Sequence, residues 1–117
     1  MNFKELADRL EMNEEEFSEW AKLFVEAGTA DLDRLTAAIG RGDWAEAADA
    51  AHSIKGAAAN LGMAESCELA GRIEREAREN HLDQTAEWIL TLRKILGRVA
   101  DELQEGARRN EQKGPGC

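Results

Sequence analysis

The chain has 117 residues, of which 43% are hydrophobic and 33% charged, with a formal net charge of −9; this suits one domain built around one core. The negative balance excludes the basic stripe that a nucleic-acid surface needs and any attraction to an anionic membrane. No apolar run reaches the roughly 20 residues that span a bilayer, and a bias towards Ala, Glu, Leu and Arg, with one proline, favours helix throughout.

Residues 2–11 read as a short amphipathic helix with Phe3, Leu6, Ala7 and Leu10 on one face. They lack the basic start and apolar stretch of a secretory signal. Asn13 followed by Glu16 forms a capping-box pattern, and Glu14 to Glu16 suit the positive end of a helix dipole. The stripe that follows is Phe17, Ala21, Phe24, Gly28, Leu32, Leu35 and Ile39, in steps of three and four. Gly28 lies on it and marks a close-packing point or a bend. Gly-Arg-Gly at 40–42 ends the helix.

Asp43 and Glu46 repeat the cap pattern. The next stripe is Trp44, Ala47, Ala51, Ile54, Ala58 and Leu61, closed by Gly62. A helix over 63–79 carries Met63, Cys67, Ala70, Ile73 and Ala77. Asn80, His81 and Leu82 make a turn, and Asp83 is the expected cap of a last helix running to about 107. Its inward residues are Ala86, Ile89, Leu92, Leu96, Val99 and Leu103. The remainder, 109–117, has nothing to bury and is expected to be a disordered tail after a domain over 1–108. Loops this short bring successive helices side by side and antiparallel. The expected fold is therefore all-α, an up-down-up-down antiparallel four-helix bundle with a short lead-in helix.

The segment Ala-His-Ser-Ile-Lys-Gly-Ala-Ala-Ala-Asn-Leu-Gly at 51–62 departs from an ordinary helix. At about 100° per residue, His52 lies about 130° from the centre of its helix's apolar stripe, on the flank. Ala45, Ala48, Lys55, Gly56 and Ala59 surround it, and all but Lys55 are small. A solvated face ordinarily carries long polar side chains; this one is cleared, so another protein's surface could approach the imidazole. Gly56 weakens a helix interior, which implies a steric reason for it. Lys55 places an ammonium beside the ring, where it would steady an attached anion such as a phosphoryl group. A ring nitrogen is a competent nucleophile towards phosphorus. No phosphate cradle, GxSxG or HExxH accompanies it, and two distant histidines do not make a zinc site.

The run His52, Ile54, Lys55, Gly56, Leu61, Gly62 resembles the signature of histidine-containing phosphotransfer (HPt) domains of two-component phosphorelays. The preceding stretch from Gly42, with its acidic and aromatic helix start, is similar to that family too, and the likeness extends over about 12–108. The resemblance implies that His52 accepts the phosphoryl group and that Lys55 stabilises it. It implies that Gly56 leaves room for a response-regulator receiver domain, with Ala45, Ala48, Asp49 and Ala59 completing the partner-binding face. The family often has Gln or Glu beside the imidazole. A hairpin folded near Gly62 brings 72–74 level with His52, and Ile73 faces the core, so Glu74 is either that imidazole partner or a solvated charge.

The resemblance further implies a phosphorelay intermediate that serves receiver domains and a sensor or hybrid histidine kinase. It implies no kinase activity of the chain's own and no cofactor, the metal for transfer residing in the receiver. Two other readings remain: a non-catalytic helical adaptor for a receiver, and the phosphotransfer module of a chemotaxis-type kinase. A cytoplasmic monomer is expected. Cys67 and Cys117 are not expected to pair, and Cys67 reads as a small buried hydrophobe. His81 reads as incidental, Trp20, Trp44 and Trp88 as core packing, and the charges over 75–79 as a solvated face.

Overall fold

A computed structural model describes residues 2–113, with side chains over 2–108. The described residues are all-helical, with α1 (Phe3–Arg9), α2 (Glu14–Gly40), α3 (Trp44–Asn60), α4 (Ala64–Arg78) and α5 (Thr85–Lys113). Asn2, Asn13 and Asp43 cap the first three helices, each side chain accepting the backbone N–H three residues on. Asn13 and Glu16 form the complete capping box. At Asp43 only half of it forms, because the Glu46 carboxylate turns to Arg34 Nε at 3.3 Å.

The loops are short because the same stop device is used four times. Glu11, Gly42, Gly62 and Asn80 all take positive φ. The N–H of the following residue then reaches back to the last helical turn, as from Asp43 to Ala38 O and from Met63 to Ala58 O, each at 2.9 Å. Asp43 and Met63 therefore end one helix and begin the next.

Helix α3 packs against α2 and α4, α5 packs against α2 and α4, and α1 packs on α2. The Phe3 and Phe17 rings meet edge to face, 5.1 Å between centroids. The buried residues of α3 are Ala47, Ala48, Ala50, Ala51, Ala58 and Ile54. Five alanines bury little area, so they serve mainly to let helix axes approach, while Ile54 is the large anchor, worth about 1.5–3 kcal/mol. Gly28 plays a similar part between α2 and α5: a Cβ there would sit 3.3 Å from both Leu96 methyls. It is the close-packing point.

Several expectations need correction. Ala38, not Ile39, is the fully buried residue at the end of the α2 stripe. Ala86 is exposed while Thr85 beside it is buried, and Ile95, which was not expected to face inward, is buried as well. Helix α5 begins at Thr85, so Asp83 lies one residue too early to cap it. The carboxylate of Glu76, reaching from α4, instead accepts from Gln84 N at 3.3 Å and Thr85 Oγ1 at 2.7 Å. Trp20 is 50% exposed and Trp44 half-buried; Trp88 packs against the core under the Arg72 guanidinium. Cys67 is half-buried. The backbone of α5 continues through 109–113, expected to be tail, and 114–117 with Cys117 lie outside the described residues.

Candidate functional site

The site lies where the third turn of α3 faces α4. Ala51, Ile54 and Ala58 seat α3 in the core, which leaves His52 on its flank with 63% of its side chain exposed. Across the helix pair, Ile73 is fully buried and Glu74 follows it at 8% exposure. The solvated alternative for Glu74 is therefore wrong. Its carboxylate faces three basic side chains. His52 Nδ1 lies 3.2 Å from Oε2 and 3.4 Å from Oε1. Lys55 Nζ lies 2.9 Å from Oε1, while Arg78 gives Oε2 two hydrogen bonds, 3.1 Å from Nε and 2.7 Å from a terminal nitrogen.

A carboxylate so buried would ordinarily hold its proton more tightly. Here burial does raise the Glu74 pKa, but hydrogen bonds from Lys55, Arg78 and His52, with the Lys55 charge, outweigh it and hold it at about 2. Glu74 is thus ionised near neutrality and can only accept hydrogen bonds. Its contact with His52 is a hydrogen bond only when Nδ1 carries the proton. That tautomer leaves the Nε2 lone pair free on the outward side of the ring.

The surroundings of the ring are open. Gly56 is exposed, and a Cβ added there would meet nothing within 4 Å. The fold itself has no need of glycine at this position. Ala45, Asp49 and Ala59 are also exposed. Ala48 is not: at 2% exposure it belongs to the core and presents no surface to a partner. Ser53, beside His52, donates to Asp31 Oδ2 at 2.7 Å and ties this turn of α3 to α2. Among the described residues no three His, Cys, Asp or Glu side chains are grouped to hold a metal ion.

One member of the cluster escaped the sequence reading. Arg78 belongs to the charged run over 75–79, yet it is bound to Glu74. The signal was its spacing, because an acidic residue four before a basic one pairs along a helix.

The chain matches the Hpt domain family over residues 19–105. It belongs to the Hpt family. It is similar to the crystal structure of histidine-containing phosphotransfer protein B (HptB) from Pseudomonas aeruginosa, with a TM-score of 0.71 and 28% identity over 89% of this chain and 90% of that one. No curated protein sequence matches it significantly. As an Hpt protein, the chain serves histidine phosphotransfer in a two-component phosphorelay. Hpt proteins are phosphotransfer intermediates that work with receiver domains and kinases. No helix among the described residues is long and apolar enough to cross a membrane.

Proposed function

We propose that His52 is the residue that carries the phosphoryl group, taking it from the aspartyl phosphate of one receiver domain and passing it to the aspartate of another. The observation that carries this reading is the orientation of the ring. Nδ1 faces a buried, ionised carboxylate, while the other edge stands exposed beside the open Gly56 position. In the forward step a bond forms between His52 Nε2 and phosphorus as the phosphorus–oxygen bond to the receiver's aspartate breaks, and the aspartate leaves as carboxylate. The Nδ1 proton stays in place. The phosphorylated ring is then cationic, and Glu74 offsets that charge. In the onward step the electron pair returns to Nε2, and the departing imidazole is neutral, which eases its departure.

Lys55 stabilises the phosphoryl oxygens. The receiver docks over Ala45, Asp49, Gly56 and Ala59 and supplies the metal ion and the acidic residues that hold it, so the chain needs no kinase activity of its own. Helices α2 to α5 form an up-down-up-down bundle, with α1 as the lead-in. Reversed contacts support this: Asp31 and Arg34 of α2 meet Ser53 and Glu46 of α3, and Gly28 and Asp33 of α2 meet Leu96 and Arg93 of α5. The protein acts as a cytoplasmic monomer.

The decisive experiment mixes the protein with phosphorylated receivers of its organism and follows the label. Acid-labile, base-stable label that disappears in His52→Gln establishes the relay role. Wild type that no receiver labels defeats it and leaves a receiver-binding adaptor as the surviving reading.

A further inference from the structure

Glu74 creates an electrostatic problem at this site. A carboxylate beside the imidazole orients the ring, but it also repels an incoming phosphoryl dianion and occupies Lys55, the cation that would receive it. Lys55 lies 2.9 Å from Oε1, and its stem crosses α4 beside Gly71, with Cδ 3.5 Å from where a Cβ would sit. Arg78 approaches from the other side. It sits one turn after Glu74 on α4 and bonds only Oε2, through two nitrogens. The carboxylate is thus divided, with Lys55 on one oxygen, Arg78 on the other and His52 Nδ1 between them. One anion and two cations leave a local surplus of one positive charge.

We propose that Arg78 is a positioning residue for phosphotransfer: by holding Oε2 of Glu74 it neutralises that carboxylate and frees Lys55 to turn to the phosphoryl group on His52. This rests on His52 as the acceptor. Arg78 suits this role because its guanidinium is permanently charged and its two nitrogens fix Oε2 without help from Lys55. When the phosphoryl group arrives, Lys55 exchanges Oε1 for phosphoryl oxygen. Glu74 keeps one cation and the Nδ1 proton, so no buried charge is left unpaired. Were Arg78 absent, releasing Lys55 would strand the carboxylate beside a dianion.

A small phosphodonor tests this without a receiver. Phosphoramidate passes its phosphoryl group to His52 Nε2 and releases ammonia, and phosphorus NMR follows the product. Arg78→Gln is expected to slow labelling roughly tenfold, the scale of one partly exposed charge held beside a forming dianion. In a Glu74→Gln background, where there is no carboxylate to neutralise, the same change should alter the rate by less than about twofold. Arg78→Lys keeps the charge though not the two-nitrogen hold on Oε2, and should restore labelling in part, to within about threefold of wild type. Equal losses from Arg78→Gln in both backgrounds would mean that Arg78 acts on the phosphoryl group or on packing, and would overturn the proposal alone. Failure of Arg78→Lys to restore the rate would overturn the charge argument. If wild type takes no label that depends on His52, the acceptor reading fails, and this proposal with it.

Discussion

The two histidines stand at similar distances from carboxylates, yet in different settings. His52 Nδ1 is 3.2 Å from Glu74 Oε2, and His81 Nε2 is 3.1 Å from Glu79 Oε2. His81 has a second carboxylate, Asp83, at 3.6 Å. The side chains of Glu79 and Asp83 are 57% and 82% exposed, whereas that of Glu74 is 10% exposed and fixed by Lys55 and Arg78. The backbone around His81 serves the fold instead. Asn80 takes a positive φ and the His81 N–H donates to Glu76 O, which closes the end of α4. Proximity of a histidine to an acid therefore says little. A carboxylate that is buried, ionised and unable to turn away can hold one tautomer; two solvated ones cannot.

The largest test of this contrast is to remove each ring. His52→Gln should bring phosphoryl label from a phosphorylated receiver down to background, because the nucleophile is gone. His81→Gln should leave labelling within about twofold, since surface changes away from a site have small effects. Loss of label in His81→Gln would erase the distinction. Next comes access. Gly56→Leu is expected to slow transfer by at least about a hundredfold by holding the receiver's phosphorus away from Nε2. Circular dichroism should show helicity close to wild type, because Gly56 is exposed and a Cβ built there meets nothing within 4 Å.

A third test concerns the carboxylate. The folded-state pKa of Glu74 is depressed to about 2 from an ordinary 4.5. Its contribution to stability is therefore fully present above about pH 4.5 and is lost as pH falls towards 2. A depression of this size is worth on the order of 3 kcal/mol in full, of which about 2 kcal/mol falls between pH 5.5 and pH 2.5. Urea unfolding at pH 5.5 and at pH 2.5 should show wild type losing that much more stability than Glu74→Gln. Equal losses would mean that the cluster does not hold its charge as the distances imply.

Most of the fold was legible because caps, glycine stops and stripes are local signals. Asn13 with Glu16, Gly42 and Gly62 carry their meaning in a few residues. Errors arose where the deciding partner was remote. The start of α5 is set by Glu76, nine residues before Thr85, and no pattern at Asp83 reveals that. The helical wheel puts Ala48 near His52, on the open face; two neighbouring helices, not one, bury α3, so its apolar arc is wider than a single stripe and takes Ala48 in. At the site, the His52, Lys55 and Gly56 spacing was readable, and a hairpin count reached Glu74. That Lys55 and Arg78 divide its two oxygens depends on side-chain directions across a helix pair, which spacing does not encode.

The smallest expected effect is the one that separates fold from function most cleanly. Gly56 and Gly28 both interrupt helices, but for different reasons. At Gly28 an added methyl would press on Leu96 at 3.3 Å. Gly28→Ala therefore sets the gain in helix propensity against a shift of that leucine. At Gly56 there is no opposing contact, so Gly56→Ala should raise stability by about 0.5–1 kcal/mol through helix propensity alone. Chemical denaturation measures both substitutions. If Gly56→Ala stabilises the protein while slowing transfer from a receiver, the glycine is held at a cost to the fold for the sake of the docked surface. If it destabilises, some packing role exists at Gly56, and the open face around His52 has to be argued without it.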